Sequence, residues 1–377
     1  MIDFLLSRHM KKFFSPLTSL LCGFLLVNSI TVSALAKSID LESVKKNQQT
    51  EKSKGVKSSA GAVTVTTPDR SRKPLRAPQK PREVRTTVLP KSSANETAAR
   101  AKVSLGTAMG LNKKGDALNL KSNVSLVVDQ QSQEIFLEKN AEVVLPIASI
   151  TKLLTAMTVL DAKLPMDEVL EINDEDVAIY NHSRLIKGAT LTREDALLLA
   201  LMSSENRAAY TLGRNYPGGI NAFMAALNRK AQAIGMIHSS FEDPTGLTSK
   251  NVSTAEDLAI LVSNAYQYPL IRKFTTTPNH VLDINHRKQA FLNSNRLVRS
   301  GDMEILIQKT GYISEAGRCL VMMALVKDKP YTMVFLDSVG VQSRFADAVR
   351  VKAWLENTES HAGARKLAGV KILNQAQ

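Results

Sequence analysis

Three short polar groups in the 377-residue chain join a nucleophile or proton carrier to an apolar element: Ser149-Ile150-Thr151-Lys152, Ser204-Glu205-Asn206 and Lys309-Thr310-Gly311. On a helix the side chains at i and i+3 share a face, so the amine of Lys152 can reach the hydroxyl of Ser149. Lysine is rarely buried, and dehydration lowers its pKa towards the point where it takes a proton from an alcohol. A serine beside such a base is a nucleophile for acyl transfer, and N–H groups at a helix N-terminus favour the negative charge that develops there. Ser204 and Asn206 would bring a second hydroxyl and an amide to the same cleft. Lys309 and Thr310 would bring a cation and a hydroxyl, and Gly311 would let substrate backbone lie close to its strand.

Taken singly these groups say little. An S-x-x-K arises about once or twice by chance in a chain of this length, and Ser43-Val44-Lys45-Lys46 is a second copy, while Ser93-Ala94-Asn95 imitates the second group. Order and context carry the weight: 55 and then 105 residues separate the three, and each falls at the edge of a regular element. Asn123 to Val128 and Glu134 to Glu138 flank a turn and predict a hairpin. A helix apolar on nearly every side, hence buried, is predicted from Ile147 to about Asp161. Spacings of three and four predict helices over Glu194 to Met202, Arg207 to Arg214, Ile220 to Ile234 and Thr254 to Ala265. Strands return at Glu304 to Lys309, Arg318 to Val326 and Tyr331 to Asp337, and Ser343 to Glu356 closes the domain as an amphipathic helix. Ser204 thus follows a helix end, and Lys309 ends a strand.

The rest of the chain is organised by charge. The net charge is +14 and the pI about 9.7, but residues 1–36 hold +2, residues 37–120 hold +11 and residues 121–377 only +1. A nearly neutral folded part argues against nucleic-acid binding, which needs basic charge on a structured face. Residues 1–36 read as a cleaved export signal: Arg8, Lys11 and Lys12 precede the apolar run Leu17 to Val27, and Ala34-Leu35-Ala36 supplies the cleavage site. Translation from Met10 would give the same signal. Residues 37–118, lacking Phe, Trp and Tyr and rich in Lys, Ser and Pro, read as a disordered basic tether, with at most peripheral association with membrane or wall. Residues 119–358 read as the folded domain that carries the three groups, and 359–377 as a short tail. Removing the signal removes Cys22 and leaves Cys319 as an inert core residue, so no internal disulfide forms in the periplasmic protein.

The three groups in this order are the set found in penicillin-binding proteins and class A β-lactamases. Over residues 120–357 the chain resembles the low-molecular-mass penicillin-binding proteins, the D-alanyl-D-alanine endopeptidases and carboxypeptidases. Met202 to Ala209, Tyr216-Pro217-Gly218-Gly219 and Lys309 to Gly317 look most like the endopeptidase branch, the penicillin-binding protein seven type, and Asp243-Pro244-Thr245-Gly246-Leu247 and Ser253-Thr254-Ala255 with Asp257 also match. The resemblance implies an α/β fold, an antiparallel sheet flanked by helices with a mainly helical subdomain. It implies a serine-type D-Ala-D-Ala endopeptidase that cuts peptidoglycan cross-links between D-Ala and diaminopimelate, binds β-lactams covalently and uses no cofactor. In that scheme Ser149 attacks, Lys152 is the base, Ser204 relays the proton and Asn206 holds Lys152 and the substrate amide. Lys309 and Thr310 take a substrate carboxylate at the strand marked by Gly311, the N–H groups of Ser149 and Tyr312 form the oxyanion hole, and Arg344 assists with the carboxylate.

Competing readings make different demands. A carboxypeptidase that trims pentapeptides differs only in its leaving group. A class A β-lactamase needs an E-x-x-x-N loop between the second and third groups, but Glu242 is followed four residues later by Gly246. An inactive wall-binding module gains nothing from Lys152 beside Ser149 on a buried helix. The six histidines, His9, His182, His238, His280, His286 and His361, show no metal-binding spacing, and no G-x-x-x-x-G-K phosphate loop occurs.

Overall fold

The computed structural model describes residues 103–180 and 183–360. The expected signal, the tether as far as residue 102, His182 and the tail from 361 lie outside the described residues. The chain opens with α1 (Leu105–Ala108), a hairpin of β1 (Ser122–Asp129) and β2 (Ile135–Lys139), the short β3 (Leu145–Pro146) and α2 (Lys152–Asp161). A mainly helical insert follows: β4 (Val169–Glu171), α3 (Asp174–Ile179), β5 (Thr190–Thr192), α4 (Arg193–Met202), α5 (Asn206–Arg214), α6 (Gly219–Ala233), β6 (Val252–Ser253), α7 (Ala255–Ala265) and α8 (Pro269–Thr276). The hairpin β7 (Asn279–Ile284) and β8 (Arg287–Leu292) and the short α9 (Arg296–Ser300) lead back to β9 (Ile305–Ile313), β10 (Gly317–Val326) and β11 (Lys329–Ser338), and α10 (Ser343–Ser360) ends the domain.

The main sheet is antiparallel in the order β2-β1-β11-β10-β9, so the two ends of the domain meet at its centre where β1 pairs with β11. Both faces are covered, which is why β10 and β11 read as nearly unbroken apolar runs rather than alternating ones. On one face Leu320, Met322, Met333 and Phe335 pack against Phe345, Ala348, Val351 and Leu355 of α10. On the other, Val321, Met323, Val334 and Leu336 join a larger core with Leu153, Leu154, Met157, Leu201, Leu258 and Leu261. α2 runs through that core, with Leu153 and Leu154 fully buried. Truncating either to alanine would cost about 2–5 kcal/mol.

The predicted helices and strands recur within a few residues, but three details differ. Residues 105–113, assigned to the tether by composition, form α1 and a 3-10 turn held to the domain: the Leu105 N–H donates to the Glu315 carbonyl at 2.9 Å and Asn123 Nδ2 to Thr107 Oγ1 at 3.1 Å. The domain therefore begins before residue 119, because Leu111 packs on the core. Second, β9 runs to Ile313, so Lys309-Thr310-Gly311 lies within a strand rather than at its end. Third, the β7–β8 hairpin turns at Asn285 and His286, both with positive φ (52° and 61°), a two-residue turn built without glycine.

Candidate active site

Ser149 sits in a single 3-10 turn, Ala148–Thr151, and α2 begins only at Lys152. The predicted continuous helix is therefore broken at its first turn. In 3-10 geometry the i and i+3 side chains eclipse, and Lys152 Nζ donates to Ser149 Oγ at 2.8 Å. The same amine donates to Asn206 Oδ1 and to the Thr245 carbonyl, each at 2.7 Å. Lys152 has no exposed surface. Burial lowers its pKa from 10.5 to about 7, against the opposing charges of Asp243 and Glu205. Near neutral pH a large fraction of the molecules thus carries an uncharged amine with two N–H groups and one lone pair. Asn206 and Thr245 occupy the two N–H groups, which turns the lone pair to the Ser149 hydroxyl.

The Thr245 carbonyl is held by the loop Asp243-Pro244-Thr245-Gly246-Leu247, one of the segments that resemble the family. Asp243 accepts from the Thr245 N–H at 2.5 Å, Thr245 Oγ1 at 2.7 Å, the Gly246 N–H at 2.6 Å and the Thr248 N–H at 2.9 Å. Asn251 Nδ2 ties this loop to the nucleophile turn by donating to both the Asp243 carbonyl at 2.8 Å and Thr151 Oγ1 at 3.1 Å. The legible signal was an Asx-type turn, an Asp followed by Thr-Gly. Its target was not legible, since Thr245 and Lys152 lie 93 positions apart.

Ser204 lies between α4 and α5 with φ at 64°, a conformation a non-glycine residue holds only when its surroundings impose it. Asn206 is the first residue of α5 and is buried. Across the cleft Lys309 Nζ donates to Ser204 Oγ at 2.8 Å and to the Thr310 carbonyl at 2.9 Å. Burial, then the like charges of Lys152 and Arg344, push the Lys309 pKa well below its ordinary value. Thr310 Oγ1 donates to Ser294 Oγ at 2.7 Å, a partner the sequence did not announce. At Gly311 a Cβ would lie 2.8 Å from the Ile147 carbonyl oxygen and 3.2 Å from the Ser149 nitrogen, so only glycine lets β9 approach the nucleophile turn this closely. β9 is the edge strand of the sheet and so has N–H groups directed away from β10.

Tyr312 is 55% exposed, whereas Arg344, expected to assist with a substrate carboxylate, is 7% exposed. Arg344 Nη1 donates to the Val341 carbonyl at 3.0 Å, its guanidinium lies 4.3 Å from the centre of the Phe345 ring, and its Nε has no partner among the described residues. Burial, then the charge of Arg318, brings its pKa down to about 10. Cys319 is buried and its thiol is pushed up to about 12 by burial, which makes it unreactive. Among the described residues no three His, Cys, Asp or Glu side chains are grouped to hold a metal, and no helix is long and apolar enough to cross a membrane. A cavity of about 630 Å³ lined by Gln130, Gln133, Gln232, Ser263 and Gln267 contains none of the groups above.

Of the nine expected residues, Gly311 lies against the Ser149 turn, Thr310 bonds to Ser294, Tyr312 is exposed next along β9, and Arg344 is buried beside Phe345. Ser149, Lys152 and Asn206 form one hydrogen-bonded set, and Ser204 and Lys309 another. Comparison with known proteins bears on such a set. Residues 111–340 match the D-alanyl-D-alanine carboxypeptidase family, peptidase S11. A D-alanyl-D-alanine endopeptidase of Pseudomonas aeruginosa is 46% identical over 241 residues, which cover 63% of this chain and 78% of that protein. One of Escherichia coli K12 is 42% identical over 243 residues, with the same coverage of 63% and 78%. In fold, the crystal structure of the Streptomyces K15 DD-transpeptidase superposes with a TM-score of 0.59 at 23% identity, covering 64% of this chain and 98% of that one.

Proposed function

The chain belongs to the D-alanyl-D-alanine carboxypeptidase family, peptidase S11, and from that premise we propose that it is a serine D-Ala-D-Ala endopeptidase cutting peptidoglycan cross-links through an acyl-enzyme on Ser149. One observation carries this reading: the dehydrated Lys152 amine, fixed on two acceptors, 2.8 Å from Ser149 Oγ. The neutral amine takes the Ser149 proton as Oγ adds to the D-Ala carbonyl carbon. The oxyanion is received by the Ser149 and Tyr312 N–H groups, each such donor contributing about 3 kcal/mol to the transition state. The proton held by Lys152 passes to Ser204, held by Lys309, as Ser204 gives its own to the departing amine; the C–N bond breaks, and Lys152 is left neutral and Ser204 a hydroxyl. Water then cleaves the ester with Lys152 again as base, which restores Ser149. Lys309, Thr310 and Arg344 receive the carboxylate beside the scissile bond. Asn206, whose Oδ1 is taken by Lys152, has its Nδ2 left to donate to the substrate amide.

The two relatives described above bear the endopeptidase name at 46% and 42% identity, whereas a Bacillus subtilis carboxypeptidase is 27% identical over 219 residues, which favours the cross-link over the free C-terminus. The reading includes β-lactams as covalent inhibitors, export to the periplasm behind residues 1–36, and the segment before the domain as a basic tether to the wall or membrane surface. Incubating the purified protein with cross-linked dimer muropeptides and with pentapeptide monomers tests it. Dimers should be resolved into monomers by the parent chain and left intact by S149A. Release of free D-alanine alone would make the protein a carboxypeptidase.

A further inference from the structure

Resting on the endopeptidase reading, we propose that Arg318, stacked on Tyr312, determines specificity by forming the outer half of an anion subsite for the leaving peptide of a cross-linked substrate. Tyr312 and Arg318 are direct cross-strand partners on β9 and β10, so their side chains share a face. The two-residue period of a strand puts Thr310 on that face as well. The Arg318 guanidinium lies 4.3 Å from the centre of the Tyr312 ring, and the ring is more than half exposed. The pair is therefore a surface platform at the β9 edge of the sheet, two residues along the strand from Thr310.

Arg318 and Arg344 are close enough for the charge of one to lower the pKa of the other. Neither is in an ion pair among the described residues, and Arg344, more than nine-tenths buried, has a free Nε. Of the acids at this end of the sheet, Asp337 accepts from Asn123 Nδ2 at 2.9 Å and Glu315 from Ser314 Oγ at 2.9 Å. Lys309, also buried, lies close enough to Arg344 for that charge to lower its pKa. Like charges held close together repel, and an anionic ligand between them relieves that repulsion.

The two substrates differ on this side of the scissile bond. In a pentapeptide the leaving group is a single D-alanine, whose one carboxylate is met by Lys309, Thr310 and Arg344. In a cross-link the leaving amine belongs to a diamino acid set in a second peptide, so methylenes and further carboxylates continue past that point. Tyr312 and Arg318 lie about 6.6 Å beyond Thr310 along the strand at 3.3 Å per residue. The ring offers a surface to methylenes and the guanidinium a fork to a carboxylate.

The test compares the full chain with R318Q and R318K on a cross-linked dimer muropeptide and on a pentapeptide monomer, with penicillin acylation as the control for an intact serine centre. R318Q should lower kcat/KM on the dimer about tenfold, a change of about 1.4 kcal/mol, through KM. R318K should recover part of it, and both variants should stay within about twofold on pentapeptide and penicillin. Equal losses on both substrates would mean that Arg318 is only structural, and an unchanged dimer rate in R318Q would remove it from the subsite. Parent protein unable to cut the dimer at all would overturn the endopeptidase reading together with this inference.

Discussion

A Cβ on Gly246 would lie 1.9 Å from the carbonyl oxygen of Ala148. The loop that presents the Thr245 carbonyl to Lys152 is therefore pressed against the turn that carries Ser149, and base and nucleophile are positioned by one rigid unit. At φ +81° the glycine also holds a conformation that an L side chain resists. G246A should cost about 2–4 kcal/mol, combining overpacking with backbone strain. Thermal unfolding gives the first quantity and penicillin acylation at a permissive temperature the second, and the acylation rate should fall even where the variant is folded. A fully stable, fully active G246A would show that the two segments move independently.

The base should be visible in a pH profile. Because the folded pKa of Lys152 is depressed to about 7 from 10.5, acylation by a penicillin should rise with pH through a midpoint near 7 and level off above it. The same depression has a stability consequence with the opposite sign from a salt-bridged lysine. The unfolded chain binds the extra proton between pH 7 and 10.5, so this group's contribution to unfolding free energy increases with pH across that window and its penalty is fully present below it. A flat acylation profile from pH 5 to 9 would rule out a titrating base of this kind.

Asp243 acts on that midpoint in a defined direction. Its negative charge raises the pKa of Lys152 against burial, so D243N should move the acid limb of the acylation profile to lower pH. The four hydrogen bonds it accepts in the loop should make D243N less stable by about 1–3 kcal/mol. A limb that moves upward would contradict the electrostatic role.

Removing the reacting groups themselves has graded consequences. S149A should abolish covalent labelling by a fluorescent penicillin. K152R should retain the fold's cation but not its titration, with acylation reduced about 100- to 10,000-fold, the range for a general base. S204A should slow acylation by less, since it removes a relay while leaving Lys152 in place. Labelling that survives S149A would place the nucleophile elsewhere.

Hydrolysis of the penicilloyl ester should be slow. No E-x-x-x-N sequence lies between the second and third groups, where Glu242 is followed four residues later by Gly246. The acyl-enzyme should therefore be isolable by mass spectrometry after mixing, and rapid turnover of penicillin would contradict this.

The amino-acid sequence by itself determined which atoms could react and which elements would carry them. Ser149 and Lys152 are three positions apart, so their meeting is a local event that any helical turn produces, and the apolar spacing of Leu153, Leu154 and Met157 already demands burial of the turn that bears them. Tertiary structure alone decided everything that joins distant segments: the Thr245 carbonyl on Lys152, Lys309 across the cleft on Ser204, Ser294 under Thr310, and Arg318 over Tyr312. Arg344 shows the difference most clearly. Its place at the start of the last helix was legible, but its burial and its free Nε follow from how α10 lies against the sheet. Local spacing encodes short-range geometry, whereas the pKa of a lysine and the partner of a hydroxyl depend on which surfaces exclude water, and that is settled only when the helical insert closes on the edge of the sheet.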